Sequence, residues 1–287
     1  MKNISYFFQY ISIMLLFLIF KILGLKFSSI FSSFFFRIFG PLFRSNDTSD
    51  ANIKRAFPKL KSKERKNMIR DMWKNYGIIL AEYMYMKDFR KSNAANNKIN
   101  IKNKYIIEDI IRNNKPVIFI SGHFNNFELM AMQIESLGVQ LATIYRPLNN
   151  YFLNPVMEKI REKYICKYQV KKGISGTKEI LKFFKKGISM ALMIDQRVSE
   201  GIKCKFFGVD AMTTTIPAQF SKRFNADIIP VYIERHNSNN FTLEFFKPIK
   251  PNDDESVFDI TLKLNKILEN MILKNPEQWI WTHNRWK

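Results

Sequence analysis

The chain has 287 residues, of which 46% are hydrophobic, and this composition excludes an intrinsically disordered protein. The length suits one large domain or two small ones with a well-buried core. Lysine and arginine number 46 against 25 aspartate and glutamate, which gives a formal net charge of +21. Such an excess predicts a negatively charged partner: nucleic acid, anionic lipid or an acidic protein.

Cysteine and histidine are too few and too scattered for a disulfide scaffold or a metal centre. Cys166 and Cys204 form no C-x-x-C pair, so we expect two reduced thiols in a cytosolic compartment. The three histidines are His123, His236 and His283, and no zinc site is expected from so small a number.

The amino-terminal end carries an uncharged, mostly apolar run at residues 3–20. Its length is close to the roughly 20 residues that span the hydrocarbon core as a helix. A cleaved signal peptide is disfavoured because no small-x-small site follows, and soluble proteins seldom begin with so dense an apolar run. We therefore predict a membrane anchor. By the positive-inside rule, the basic residues that follow predict that the rest of the chain is cytoplasmic: Lys21, Lys26, Arg37, Arg44, Lys54 and Arg55.

A second apolar run, at residues 27–43, is broken by Arg37 and by a glycine–proline pair. This pattern is typical of an interfacial segment rather than a spanning one. A polar linker at residues 44–52 follows and is expected to cap a short helix. The sequence thus predicts a membrane anchor and interfacial segment at residues 1–44, and a catalytic domain at residues 45–287.

The remaining chain alternates between helical and extended patterns. Apolar residues recur at helical spacing between positions 61 and 86, and a polar connection follows at residues 91–104. The predicted strands are residues 117–121, 140–146, 188–195, 227–235 and 241–249, and the predicted helices are residues 126–138, 154–165, 176–187, 216–225 and 256–273. This alternation indicates an α/β fold with a mainly parallel central sheet flanked by helices.

A histidine follows the first of these strands, and a glutamate stands five positions later, in "ISGHFNNFELM". Ligands of parallel sheets gather beyond the carboxyl ends of the strands, where His123 is expected, and Glu128 falls in the first turn of the next helix. The glutamate is expected to accept the imidazole Nδ1–H, which leaves Nε2 to take a proton from a hydroxyl. The alternative is a helix-capping glutamate beside a structural histidine.

"SGHFNNFE" resembles the H-x4-D/E motif of glycerolipid-type acyltransferases. More narrowly, the chain resembles the lipid A biosynthesis acyltransferase family of lauroyl and myristoyl transferases. Four further segments match that family in type and order, and with the apolar amino terminus they extend the resemblance over nearly the whole chain: residues 52–58, 145–150, 195–197 and 276–287.

The resemblance implies transfer of a fatty acyl chain from an acidic acyl carrier protein to a hydroxyl of a lipid A precursor, without a cofactor. It makes His123 the general base and Glu128 its partner, and it implies a glycerolipid-acyltransferase-like fold held at the inner, cytoplasmic membrane. Arg161 corresponds to the family's arginine at the site, where it would balance a phosphate or the developing oxyanion. The remaining candidates for substrate binding are Arg146, Asp195, Gln196 and Arg197.

The chemistry is consistent with these residue types. A thioester is already reactive, so a base for the hydroxyl and donors for the tetrahedral oxyanion suffice.

Other functions remain as alternatives. The same chemistry could act on another glycolipid or a phospholipid. A basic nucleic-acid-binding protein is disfavoured because no helix-turn-helix, zinc finger or RNP motif is present, so we expect no nucleic acid partner. An ester hydrolase would need a G-x-S-x-G nucleophile, which the sequence lacks.

Overall fold

A long apolar helix begins the chain in the computed structural model, which describes residues 2–91, 98–237, 239–250 and 252–287. This helix, α1 (Lys2–Phe43), is kinked at Gly24, whose φ of 75° lies in the left-handed region that glycine adopts without strain. Within Asn3–Leu42, a window of 18 residues reaches a mean hydropathy of 2.1. By length and composition this helix is able to cross a membrane.

The buried face of α1 packs on a helix that comes later in the chain. After α2 (Asn46–Ala56) comes α3 (Ser62–Glu82), which packs along α1. The two backbones nearly touch, because a Cβ on Gly77 would stand 2.2 Å from the carbonyl oxygen of Ser32. Only glycine permits this approach. Large apolar side chains on the outer face of α1 stay exposed, among them Phe8, Ile22, Phe34 and Leu42.

In the described residues, nine strands follow. They are β1 (Ile99–Lys102), β2 (Ile118–Ser121), β3 (Leu141–Tyr145), β4 (Tyr168–Lys171), β5 (Ser189–Met193), β6 (Ile202–Phe206), β7 (Val209–Thr213), β8 (Ile228–Arg235) and β9 (Phe241–Phe245). β6 and β7 form a separate antiparallel hairpin, and the other seven form one sheet in the order β1-β9-β8-β2-β5-β3-β4. Neighbours in that sheet are parallel except β8 and β9. All four residues of β2 are buried, as expected for a sheet covered on both faces.

Helices and short turns connect the strands. They are a 3₁₀ turn (Tyr83–Tyr85), α4 (Met86–Lys91), α5 (Lys104–Asn113), α6 (Glu128–Ser136), α7 (Asn154–Ile160) with a π-helical turn after it (Arg161–Ile165), α8 (Ile174–Lys185), α9 (Ile216–Phe224), α10 (Val257–Lys274) and a 3₁₀ turn (Pro276–Gln278). The buried side chains of these elements join those of the sheet in one main core.

The mainly parallel sheet with flanking helices is confirmed, and the five predicted strands and five predicted helices lie at their expected places. The prediction of a polar connection at residues 91–104 is wrong in its second half, which forms β1. Residues 92–97 lie outside the described residues. β1 escaped prediction because it is a four-residue edge strand that alternates isoleucine with asparagine and lysine. The short strand β4, the helix α5 and the β6–β7 hairpin were also not predicted.

Candidate active site

His123 and Asp195 meet because their strands are parallel neighbours in register. Ser121, the last residue of β2, pairs with Met193, the last residue of β5. Each functional residue follows two positions later, so both lie at the same carboxyl edge of the sheet. The Oδ1 atom of Asp195 is 2.7 Å from Nδ1 of His123, and Oδ2 accepts the backbone N–H of His123 at 2.8 Å.

The Asp195 carboxylate is buried and fully hydrogen-bonded. Its third donor is the indole Nε1–H of Trp279, at 2.8 Å from Oδ2. Burial alone would raise the pKa of Asp195, but the His123 imidazole and these three hydrogen bonds outweigh burial and lower that pKa. The ionised carboxylate can only accept hydrogen bonds, so the proton of the neutral imidazole is placed on Nδ1 and the lone pair on Nε2.

The predicted hydrogen bond between Glu128 and His123 is wrong. In the described residues the Glu128 carboxylate instead pairs with Arg161, at 2.7 Å from Nη2 and 2.9 Å from Nε, and accepts the Tyr83 hydroxyl at 2.5 Å. The strand pairing explains the difference, because it brings Asp195 to the Nδ1 side of the imidazole. The ring of Phe127 packs edge-on against that imidazole, with 4.6 Å between ring centroids.

Glu128, Arg161 and Tyr83 form a second polar cluster. Burial and the charge of Glu128 raise the pKa of Tyr83, which therefore stays protonated and donates. Burial alone would lower the pKa of Arg161, but Glu128 and Tyr83 raise it on balance. The guanidinium also lies over the ring of Tyr145, 5.4 Å from its centroid. Among the described residues no hydrogen bond engages Nη1 of Arg161, so this nitrogen can bind an anion.

The other predicted substrate-binding residues lie at different distances from this centre. The amide nitrogen of Gln196 is 3.4 Å from Nε2 of His123, a long contact that a substrate hydroxyl can replace. Arg197 is held by the carboxyl-terminal segment: its backbone N–H donates to Nε2 of His283, and its Nε–H donates to the carbonyl of Lys287. Arg146 is exposed and has no ion-pair partner among the described residues.

Sequence reasoning missed a buried network that holds the loop between His123 and Glu128. The amide of Asn126 donates to Glu82 at 3.0 Å. Glu82 also pairs with Arg235 and accepts the amide of Asn239 at 2.7 Å. Glu82 precedes Tyr83, which binds Glu128, so the end of α3 contacts this loop twice. No short motif signals this network, because its members are scattered along the chain.

Trp279 is a second residue whose contact the sequence did not indicate. The carboxyl-terminal segment is rich in tryptophan, a residue that occurs both in protein cores and at membrane interfaces. Trp279 does pack, edge-on against Trp281 at 4.6 Å between ring centroids. Its indole nitrogen also binds the carboxylate that holds His123. Only the match of the carboxyl-terminal segment to a known family gave a signal for this residue.

A histidine whose Nδ1 contacts a buried aspartate at the edge of a parallel sheet is an arrangement that can carry acid–base transfer chemistry. The model of the bacterial lipid A biosynthesis acyltransferase family matches residues 1–287. The chain therefore belongs to this family and is an acyltransferase, as the motifs predicted.

The proteins that this chain is similar to carry names that agree with this family. The chain is 24% identical to the lipid A biosynthesis palmitoleoyltransferase of Escherichia coli (strain K12) over 85% of this chain and 79% of that protein. It is 24% identical to the lauroyltransferase of the same strain, over 82% and 77%, and 22% identical to the myristoyltransferase, over 80% and 71%. A crystal structure of the 1-acyl-sn-glycerophosphate acyltransferase PlsC from Thermotoga maritima matches 93% of this chain and 98% of that chain, with a TM-score of 0.43 and 12% identity.

Proposed function

We propose that this acyltransferase moves a fatty acyl chain from the thioester of an acyl carrier protein to a hydroxyl of a lipid A precursor, with His123 as the general base. The observation that carries the proposal is the hydrogen bond of 2.7 Å between Nδ1 of His123 and the buried Asp195. It fixes the tautomer and directs the basic Nε2 away from the carboxylate. The side chain of His123 is 19% exposed, so a substrate can reach it.

The reaction then needs one base and one electrostatic contact. Nε2 of His123 takes the proton of the acceptor hydroxyl as its oxygen attacks the thioester carbonyl, which forms a tetrahedral oxyanion. Collapse of this intermediate breaks the carbon–sulfur bond, and the imidazolium returns the proton to the departing thiolate. Asp195 stabilises the imidazolium between these two steps, as a buried carboxylate does beside a catalytic histidine.

Arg161 is the residue we assign to the anionic part of the substrate. Its Nε and Nη2 are fixed by Glu128 and Tyr83, which orients the remaining face of the guanidinium. That face would bind the oxyanion or a phosphate of the acceptor. Glu128 therefore acts through Arg161, and its role is to position that side chain.

The surrounding charges suit the two substrates. Gln196 contacts the imidazole edge, and Arg146 and Arg197 add positive charge after β3 and after β5. The net charge of +21 would attract an acidic carrier protein and a phosphorylated lipid by long-range steering.

We further propose that α1 anchors the enzyme in the cytoplasmic membrane, with the catalytic domain on the cytoplasmic side. The support is the exposed apolar face of α1 and the excess of basic residues that follows residues 3–20. Residues 1–44 would then be the membrane segment and residues 45–287 the catalytic domain.

The test is to incubate the purified full-length protein with acyl carrier protein thioesters of several chain lengths and to weigh the lipid products. The acceptors are a tetra-acylated disaccharide precursor and, separately, a lysophospholipid. We expect acylation of the disaccharide. Acylation of the lysophospholipid alone would overturn the proposed acceptor while leaving the acyltransferase chemistry intact.

A further inference from the structure

A cleft of about 690 Å³ lies between the carboxyl end of α1 and the helices α2 and α3. It is separate from the active-site clusters, since none of its lining residues belongs to them. Arg37 and Pro41 come from α1, Lys54 from α2, and Lys66 and Arg70 from α3. Three helices thus bring cations to one concave surface, so this cluster of positive charge is not simply the polar face of one amphipathic helix.

The cations of this cleft are not neutralised by partners. Arg37, Lys54, Lys66 and Arg70 take part in none of the twelve ion pairs among the described residues. Two carboxylates also line the cleft. One of them, that of Asp50, is already bound by Arg65 at 2.8 Å, and the other, that of Asp47, accepts the Ser45 hydroxyl at 2.7 Å. The lining therefore carries a net positive charge.

The cleft opens beside the apolar surface of the chain. Arg37 lies on α1 between exposed apolar side chains such as Phe34 and Ile38. If α1 is anchored in the membrane as proposed above, Arg37 places a cation directly beside the apolar surface that would face the bilayer. Trp73 forms a wall of the cleft, and its indole donates to Asn46 at 2.9 Å.

We propose that this cleft binds the phosphodiester headgroup of an anionic membrane phospholipid. The guanidinium groups of Arg37 and Arg70 suit bidentate contacts with phosphate oxygens, and the lysines add compact positive charges. A phospholipid fits better than a free anion because its acyl chains can lie along the exposed face of α1 while the headgroup enters the cleft. This inference rests on the proposed membrane attachment but not on the acyl transfer reaction.

The experiment measures lipid retention in the absence of both reaction substrates. Full-length protein in detergent is mixed with phosphatidylglycerol or phosphatidylcholine, and bound lipid is counted by native mass spectrometry. We expect phosphatidylglycerol to be retained in preference to phosphatidylcholine. We expect the double variant Lys66→Gln/Arg70→Gln to retain phosphatidylglycerol roughly tenfold or more weakly, since each lysine or arginine near an anionic headgroup strengthens binding.

The matched control removes the same charge elsewhere. Lys263 and Lys266 each pair with their own carboxylate, Glu255 at 2.7 Å and Glu269 at 2.9 Å, so Lys263→Gln/Lys266→Gln should retain phosphatidylglycerol as the wild type does. Circular dichroism is used to check that both variants are folded.

Three results would overturn the proposal. The first is equal retention of phosphatidylglycerol by the two double variants. The second is full displacement of the lipid by inorganic phosphate at millimolar concentration, which would make the cleft a free-anion site. The third is unchanged lipid retention with weaker binding of acyl carrier protein by Lys66→Gln/Arg70→Gln, which would make it a protein-docking surface.

Discussion

Replacing Asp195 by asparagine should prevent His123 from acting as a base without unfolding the protein. Two N–H donors, the His123 backbone and the Trp279 indole, bind one oxygen of this carboxylate, and Nδ1 of the imidazole binds the other. An asparagine has one acceptor oxygen and one NH₂ donor. If its NH₂ faced the two N–H donors, two buried donors would lose their acceptor, at about 1–3 kcal/mol each.

The alternative orientation of the asparagine amide avoids this cost but forces the imidazole of His123 into its other tautomer. The asparagine oxygen then serves the two N–H donors, and its NH₂ faces Nδ1, which must become the acceptor. The proton of the neutral imidazole moves to Nε2, the atom that we propose takes the proton from the hydroxyl. We therefore expect Asp195→Asn to lower kcat by about 10²–10⁴, the typical contribution of general base catalysis.

The assay is steady-state acyl transfer from a carrier-protein thioester, with the melting temperature measured in parallel. Trp279→Phe is the matched control, because it removes one donor to the same carboxylate and keeps the charge, and it should lower kcat by less than tenfold. A folded Asp195→Asn enzyme with kcat within about threefold of the wild type would refute the reasoning.

Three further predictions follow from the buried polar groups. Glu128→Gln should lower kcat/KM by roughly ten- to a hundredfold, because Arg161 loses a charge-assisted partner worth about 1.5–3 kcal/mol. The pH profile of kcat should stay that of the wild type, and a shifted profile would instead point to direct contact between Glu128 and the base. Glu82→Gln should lower the free energy of unfolding in urea by about 3–5 kcal/mol, because it breaks the buried pair with Arg235, whereas a loss below about 1 kcal/mol would contradict that role. Burial lowers the pKa of His283 from its ordinary 6.5 to about 4, so the stability that neutral His283 contributes is complete above pH 6.5 and is lost as pH falls towards 4. His283→Gln should therefore reduce the change in unfolding free energy over this pH range by roughly 2–3 kcal/mol, as measured in urea. An unchanged slope would show that His283 titrates normally in the folded state.

The central sheet was predictable because its strands and the helices between them differ clearly in period and length. Strands such as β2 and β5 are buried apolar runs, and the helices between strands carry their own periodicity. His123 could be placed at the carboxyl edge of the sheet because it comes two residues after the end of β2. Edge strands gave no such signal, because half of their side chains face solvent and their sequences read as polar loops, as in β1.

The partner of the imidazole was not predictable from local sequence. Glu128 is five residues from His123, while Asp195 is 72 residues away, and spacing along the chain favours the nearer carboxylate. The correct partner depends on which strand lies beside β2 and in what register. Both are properties of the tertiary structure and are not encoded in the local sequence. Tyr83 was similarly hidden, since it falls in an apolar helical pattern where only the hydroxyl distinguishes it from a core residue.

The most direct test of the account is a single-turnover measurement with His123→Ala. Enzyme in excess over the carrier-protein thioester and the disaccharide acceptor is quenched at intervals, and the acylated lipid is quantified by mass spectrometry. The account predicts that the folded variant forms this product about 10²–10⁴ times more slowly than the wild type. Product formation at the wild-type rate would contradict it, because no other described group contacts Asp195 as a base.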